Sequence, residues 1–297
     1  MAQEKPFYSR FLNLPDENVA WESALCCLIQ APLENTTSFQ NGTASAPQAV
    51  LRASEQIELY DPISERDLSD LAVCTPSPLK LAGLTSKEAL EVIETSVDKA
   101  LDGHKWPLVL GGEQTASYGA VRALLKRHHD LHVVQLDAHF DLKESFGGSL
   151  FSHRCAARRV LDLGVPLLHL GARSYSRDEA ELVAASSDRL RVLSTAQLQK
   201  NSALLEQELK NISGPLYLSI DMSILDPAVC PGVSNPEPSG LSWNELLKIV
   251  DVLFSHRMLV GADIVELSPI SGDSRSELLA AKLALRLFDL HQTGTTP

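Results

Sequence analysis

Short apolar runs alternate with longer segments of helical period along nearly the whole chain. Eight apolar runs predict strands, at 23–30, 70–74, 107–111, 131–136, 166–171, 190–194, 215–220 and 258–264. Eight segments with apolar residues every three or four positions predict helices, at 46–58, 85–103, 116–128, 153–163, 177–186, 195–210, 242–254 and 275–290. Capping patterns favour helix starts at Thr85, Ser242 and Ser274. This alternation predicts an α/β fold of three layers, α/β/α, around a mostly parallel sheet of about eight strands.

Composition narrows the kind of protein. The 297 residues are 44% apolar, and no linker or low-complexity tract divides them, so we expect one domain over 1–297. A net charge of −12 argues against partners such as nucleic acid or an anionic membrane. No apolar run approaches the ~18 residues of a membrane span, and the first residues lack a signal-peptide pattern. Five cysteines without a CxxC pair indicate reduced thiols and a cytoplasmic location.

One polar run stands out directly after a predicted strand. The sequence VVQLDAHFDLK places Asp137, His139 and Asp141 at alternating positions. In an extended chain every second side chain points the same way, so two carboxylates and an imidazole can converge. This donor set suits divalent cations such as manganese, iron or nickel. A solvated strand end is the alternative interpretation of this run taken alone.

Polar groups follow three further predicted strands. Glu113 and Gln114 come after 107–111, Asp221 ends 215–220, and Asp263 and Glu266 close 258–264. In parallel sheets ligands bind beyond the carboxyl ends of the strands, where the strand order switches. We therefore expect these groups to meet the Asp137–Asp141 run at one edge of the sheet.

Four motifs in order resemble the ureohydrolase family of arginase, agmatinase and formimidoylglutamase. They are TTSFQNGTASAPQAVLRAS (36–54), GGEQTASYGAVRAL (111–124), SIDMSILDPAVCPGVSNPEPSGLSWNEL (219–246) and GADIVELSP (261–269). The segment 151–183 is most similar to the agmatinase branch. The resemblance implies an arginase-like fold and a pair of manganese ions that activate water for attack on a guanidinium carbon, releasing urea.

The resemblance also assigns site residues by position. Asp137, His139, Asp141 and Asp221 match metal ligands; Asp141, His153 and Glu266 match catalytic positions, and His153 and Glu266 also match substrate-binding positions. Two ligand positions are altered, because Gln114 replaces a histidine and Ser223 replaces an aspartate. Both offer only neutral, weaker oxygen ligands.

The altered ligands change the expected cofactor. The prediction is manganese or another divalent metal, at fewer than two ions per chain, with no metal as the alternative. Without a cation the crowded carboxylates would need protons or a basic neighbour, for which Lys143, Arg154 and Arg158 are the nearest in sequence.

Two functional hypotheses follow. In the first, the protein is an agmatinase-like metal-dependent hydrolase of a small cationic guanidino or amidine compound, and this hypothesis is favoured. In the second, it is a non-catalytic homologue that acts as a ligand sensor or as a structural subunit beside an active paralogue. The resemblance further implies a homo-oligomer, a trimer or hexamer, or a hetero-oligomer with that paralogue.

Overall fold

The computed structural model describes residues 10–61, 65–186 and 189–294. Its strands are β1 (Cys26–Ala31), β2 (Tyr60–Asp61), β3 (Arg66–Asp67), β4 (Val73–Cys74), β5 (Trp106–Gly111), β6 (His132–Leu136), β7 (Leu167–Leu170), β8 (Leu190–Leu193), β9 (Leu216–Asp221) and β10 (Leu259–Val265). Its α-helices are α1 (Asp16–Val19), α2 (Ala46–Ser54), α3 (Ser86–Asp102), α4 (Ala116–Leu125), α5 (Ala156–Asp162), α6 (Arg177–Ala185), α7 (Thr195–Lys200), α8 (Ala203–Lys210), α9 (Trp243–His256) and α10 (Arg275–Thr293).

Eight strands form one parallel sheet in the order β4-β1-β5-β10-β9-β6-β7-β8. Each corresponds to a predicted strand, which confirms the predicted fold class. Two short features were not predicted, the antiparallel pair β2 and β3 and the four-residue helix α1. Both are too short to show a periodic pattern.

Apolar side chains of the sheet pack against helices on both faces. One cluster joins the sheet to α2, α8, α9 and α10, and the other joins it to α3, α4 and α5. Strands β5 and β9 are buried on both faces, which explains why they appear in the sequence as continuous apolar runs. The result is a three-layer α/β/α architecture. Within the described ranges, none of the helices is both long and apolar enough to cross a bilayer.

The helix predictions need three corrections. The predicted helix 195–210 is two helices, because the Asn201 side chain accepts a hydrogen bond from Ala203 N and so competes with helical pairing. The predicted helix at 153–163 starts as a 3-10 turn, His153–Cys155. In the part of the chain that the structure describes, the side chain of Ser274 makes no capping hydrogen bond, whereas Thr85 and Ser242 form the expected capping boxes.

The four central strands β5, β10, β9 and β6 are neighbours, and their carboxyl ends carry the predicted polar groups. The chain passes from β5 to β6 across the positions filled later by β9 and β10, so this is a switch in strand order. Gly112 permits a close approach there: a Cβ atom at this position would lie 1.9 Å from the Leu33 carbonyl oxygen.

Candidate metal centre

Three of the predicted ligands converge at this edge. The carboxylates of Asp137 and Asp221 and the imidazole of His139 offer ligand atoms that all lie within 4.8 Å of one another. Asp141 is outside that group of three, although its buried carboxylate interacts electrostatically with both aspartates. Its backbone adopts a left-handed φ of +53°, a conformation that costs energy for a residue other than glycine and is held by the surrounding loop.

Hydrogen bonds fix the orientation of the Asp137 carboxylate. Oδ1 accepts from the backbone N–H of His139 at 2.8 Å and from Ser223 Oγ at 3.3 Å, and Oδ2 accepts from Gln135 Nε2 at 2.9 Å. Burial would raise the pKa of Asp137, but hydrogen bonding and charge interaction with His139 lower it overall. Asp137 is therefore the member of the cluster best prepared to stay ionised.

A second histidine supports the loop that carries His139. His169 lies on β7 beside Gln135 of β6, and its Nε2 is 2.6 Å from the His139 carbonyl oxygen. Burial opposes protonation of His139, but the Asp137 carboxylate prevails and raises its pKa. Gln135 and His169 thus hold the two ends of the Asp137–His139 segment.

The remaining carboxylates of the cluster are destabilised as anions. Burial, followed by repulsion from Asp137, raises the pKa of Asp221 and of Asp141 well above the ordinary value. Hydrogen bonds from Ser223 to Asp221 oppose this shift only in part. Buried anions this close together favour either bound protons or a bound cation.

The side chain of Gln114 is held by a hydrogen-bond network below the cluster. Asp263 accepts bonds from Tyr217 and Ser219, so the Ser219 proton is already used. Gln114 Nε2 donates to Ser219 Oγ and to Ser117 Oγ, each at 2.9 Å. The amide orientation is thereby set, and the carbonyl oxygen Oε1 is buried with no hydrogen-bond partner among the residues that the structure describes.

Gln114 Oε1 lies at the position where the family resemblance implies a histidine ligand. Ser219 precedes Asp221 by two residues on β9, so both side chains point to the same face of the sheet. An unpaired buried carbonyl oxygen is costly unless something electropositive meets it. The Gln114 side chain therefore has the free oxygen that a cation would require.

Glu266 is fixed at the end of β10. Oε1 accepts from Gln114 N at 2.6 Å, and Oε2 accepts from the Ser234 hydroxyl. Burial is the main cause that raises its pKa to about 7, and Glu113 and Asp137 add repulsion. Like Asp141, Glu266 has a positive φ, of +62°. Its position is enforced by the fold rather than by local preference.

His153 lies in the wall of a cavity of about 440 Å³ that also reaches His139, Asp141, Asp221 and Glu266. Its ring nitrogens contact two hydroxyls of the loop that follows β1, those of Thr36 and Ser38. Burial, with a further contribution from Arg154, lowers the pKa of His153 to about 4. The imidazole is therefore neutral near pH 7.

The basic residues near in sequence do not neutralise the cluster. Arg158 pairs instead with Glu144 and Asp162, and Lys143 lies 3.8 Å from Glu179. Arg154 stacks on Phe146 at the cavity wall. In the described ranges none of these three forms an ion pair with a cluster carboxylate.

Arg173 is the cation that sequence reasoning missed. Its guanidinium donates to the backbone oxygens of Ser223, Glu237 and Pro238 at 2.7, 2.7 and 2.9 Å. Burial lowers its pKa, whereas its charge interacts favourably with Asp137 and Asp221. Arg173 therefore ties two loops together beside the cluster.

The supporting residues share a signal in the sequence. Gln135 in VVQL, His169 in LLHL and Ser219 in YLSI are polar positions inside otherwise apolar strands. A buried polar residue needs a partner, so such positions indicate a network. Arg173, by contrast, lies in a loop where an arginine carries no such signal.

The donor set fits a divalent cation. Two carboxylates and an imidazole converge, and a third carboxylate lies beside them. The buried amide oxygen of Gln114 has no hydrogen-bond partner within the described ranges. Positive charge would also relieve the repulsion that raises the pKa of Asp141 and Asp221.

The chain is similar to known proteins over most of its length. Residues 24–289 match the model of the arginase family. The chain is 33% identical over 276 residues to the N(1)-aminopropylagmatine ureohydrolase of Synechocystis sp., covering 91% of this chain and 90% of the relative. It is 31% identical over 271 residues to the agmatinase of Bacillus cereus, covering 90% and 91%.

The fold is also similar to that of a solved structure. The agmatine ureohydrolase of Thermoplasma volcanium superposes with a TM-score of 0.82 at 30% identity, covering 96% of this chain and 94% of that one. Family match, relatives and structure all extend over most of the chain. The chain therefore belongs to the arginase family of ureohydrolases and to its agmatinase branch.

Proposed function

We propose that this protein is a metal-dependent ureohydrolase that releases urea from a small cationic guanidino compound and works with one divalent ion per chain. The observation that carries the proposal is the convergence of Asp137, His139 and Asp221 within 4.8 Å beside the cavity that Glu266 and His153 line. The names of the relatives, agmatinase and aminopropylagmatine ureohydrolase, support the reaction class.

The ion would be held by Asp137, His139 and Asp221, with the Gln114 amide oxygen and Asp141 as further oxygen donors. Manganese suits this mixture of carboxylate and imidazole ligands. When bound, a divalent cation supplies the acidity that makes water a nucleophile near neutral pH.

The chain's own residues would bind the substrate and handle its protons. Glu266 presents a carboxylate, oriented by Gln114 N and Ser234, which can accept two N–H bonds from a guanidinium. Asp141 would orient the nucleophile and take up its proton. Neutral His153 would exchange a proton with the substrate nitrogens.

The substrate is expected to be small and cationic, because buried carboxylates dominate the inner end of the cavity. Agmatine and aminopropylagmatine are the first compounds to test, since the relatives are named for them. An assembly of identical subunits, a trimer or hexamer, forms part of the proposal.

The test combines metal content with urea release. Purified protein is dialysed against manganese, and ions per chain are measured by elemental mass spectrometry. Urea is then assayed with each guanidino compound. We expect about one ion per chain, urea from at least one compound, and a loss of roughly 10²–10⁴-fold for Glu266→Gln. Glu181→Gln removes an exposed carboxylate on α6 and serves as the matched control.

One observation favours a second candidate, a non-catalytic homologue. The Ser223 hydroxyl donates to Asp137 Oδ1, an oxygen that a metal would otherwise use. In this alternative the protein is a ligand sensor or a structural subunit beside an active paralogue. Protein that retains no manganese and gives no urea, but binds agmatine in calorimetry, would establish it in place of the enzyme.

A further inference from the structure

Both ring nitrogens of His153 are hydrogen bonded to hydroxyls of one loop. Nδ1 lies 3.2 Å from Thr36 Oγ1, and Nε2 lies 3.1 Å from Ser38 Oγ. The hydroxyl of Ser152 is a more distant neighbour of Nδ1, at 3.4 Å. Because the ring is neutral near pH 7, one ring nitrogen carries a proton and donates a hydrogen bond, and the other accepts a hydrogen bond. The neighbouring hydroxyls determine which nitrogen is protonated.

The proton of the Thr36 hydroxyl is already committed. Thr36 Oγ1 donates to Glu113 Oε2 at 3.0 Å. The same oxygen of Glu113 receives the backbone N–H groups of Asn35 and Thr36, at 3.1 and 2.8 Å. Backbone N–H groups can only donate, so Oε2 acts as an acceptor, and Thr36 must give its single proton to it.

Thr36 Oγ1 can therefore only accept from His153. It takes the backbone N–H of His153 at 3.0 Å, and its remaining contact is with ring Nδ1. A hydroxyl that already donates its proton to another group can only accept a hydrogen bond from a ring nitrogen, so it favours the protonated form of that nitrogen. On the other side of the ring, Ser38 Oγ accepts from Arg154 Nη2 at 3.3 Å, which leaves the Ser38 proton for Nε2.

We infer that Thr36 and Glu113 are positioning residues that hold His153 in the tautomer protonated on Nδ1, so that Nε2 faces the cavity as a hydrogen-bond acceptor. Ser38, the partner of Nε2, lines the cavity together with His153. The chain of contacts Glu113–Thr36–His153 thus performs the tautomer-setting task that a carboxylate performs when it contacts a histidine directly.

The inference deepens the proposed function and rests on it for its catalytic meaning. A guanidinium offers up to five N–H donors and no acceptor. A cavity wall that presents Nε2 as an acceptor, together with the carboxylate of Glu266, matches such a ligand. The Ser38 hydroxyl occupies the position of that donor in the structure, so a bound guanidinium N–H would replace it.

The tautomer can be measured without metal, substrate or turnover. Protein labelled with ¹⁵N-histidine is examined by two-bond ¹H–¹⁵N correlation NMR at pH 7.5, which distinguishes protonated from unprotonated ring nitrogens. The chain has nine histidines, and the signals that disappear in His153→Gln identify His153. We expect Nδ1 to carry the proton in the wild-type protein. A proton on Nε2, or an equal mixture of the two forms, overturns the inference.

Three variants test which hydroxyl is responsible. Thr36→Val removes the hydroxyl at nearly constant shape and should move the tautomer ratio roughly tenfold toward the Nε2-protonated form. Thr36→Ser keeps the hydroxyl and should leave the ratio unchanged, as should Ser152→Ala. A ratio that follows Ser152 instead of Thr36 contradicts the assignment.

The readout is separate from the enzymatic proposal. The signals of the other histidines report whether Thr36→Val has folded, and the wild-type measurement decides the question even if it has not. Absent urea release with the Nδ1 tautomer present would reject the proposed enzyme while leaving Thr36 and Glu113 as positioning residues. Urea release together with a proton on Nε2 would support the proposed enzyme and reject the positioning role of Thr36 and Glu113.

Discussion

The hydroxyl of Ser223 lies 3.3 Å from Oδ1 of Asp137 and donates a hydrogen bond to it. Ser223 stands at a position where the family resemblance implies a metal-binding carboxylate. A proton donor thus stands where an anionic ligand is expected, and it occupies a lone pair of Asp137, a candidate ligand. In the proposed metal site, Ser223 would therefore weaken metal binding at this position.

Changing Ser223 to aspartate is expected to strengthen manganese binding. The substitution adds an anionic oxygen ligand and removes the proton donor from Asp137. A partner outside the ligand shell typically changes metal affinity by about 10- to 100-fold, and an added ligand should change it more. We therefore expect titration calorimetry to show a gain in manganese affinity above that range. Ser223→Ala removes the donor without adding a ligand and should give a much smaller change. Equal affinities for the aspartate and alanine variants would contradict a ligand role at position 223.

The double variant Ser223→Asp/Gln114→His is expected to hold about two manganese ions per chain. Both altered positions then carry strong ligands, and the added carboxylate offsets the second cation's charge. Elemental mass spectrometry after dialysis measures the stoichiometry, with Gln114→His alone as the control. If the double variant binds no more ions per chain than the wild type, differences at other residues must also prevent a two-metal centre.

Tyr217→Phe is expected to destabilise the fold by about 1–3 kcal/mol. The Tyr217 hydroxyl donates to Asp263 Oδ2 at 2.6 Å, and both side chains are fully buried. Its loss leaves a buried carboxylate oxygen with one donor fewer. Urea denaturation measures the change in unfolding free energy, and Tyr60→Phe, at an exposed tyrosine, is the matched control. Equal stabilities for the two variants would show that this bond contributes nothing net.

Mild acid is expected to destabilise the protein partly through His291. Its ring stacks on Trp106 with centroids 5.0 Å apart, and burial lowers its pKa to about 4 from an ordinary 6.5. The unfolded chain therefore takes up a proton before the folded chain does. Stability is present above pH 6.5 and is lost as the pH falls toward 4, by at most about 3 kcal/mol at 1.36 kcal/mol per unit.

The variant His291→Phe isolates this effect because it keeps an aromatic ring against Trp106 and cannot be protonated. Its unfolding free energy should fall less between pH 7 and 4 than that of the wild type. His129→Phe changes an exposed histidine in the same way and should leave the wild-type pH dependence in place. A parallel pH dependence for wild type and His291→Phe would rule out His291 as a source of acid sensitivity.

The order of strands and helices could be predicted because each buried strand is a continuous apolar run and each helix has an apolar stripe. The predicted strand 131–136, for example, is β6, His132–Leu136. The break between α7 and α8 was not predicted, because the 3.6-residue period continues through Asn201 while the Asn201 side chain opposes the helix locally.

The candidate ligands Asp137, His139 and Asp221 could also be named from the sequence. Their spacing after apolar strands puts them at the carboxyl edge of a parallel sheet. The family motifs indicated which of the polar positions there match metal ligands. Asp141 lies outside this group of three, although it interacts with it electrostatically. The alternating positions of Asp137, His139 and Asp141 could not predict this, because the backbone of Asp141 is not extended and has a φ of +53°.

The sequence by itself thus determined the fold class, the family and the residues that gather at one edge of the sheet, since these depend on local pattern and on the order of motifs. Only the tertiary structure decided how those residues are partnered. Arg173 reaches backbone oxygens near Ser223 and Glu237, and Thr36 lies 117 positions from the ring it contacts in His153. Such pairings arise because buried polar groups must find partners in space, and separation along the chain carries no information about them.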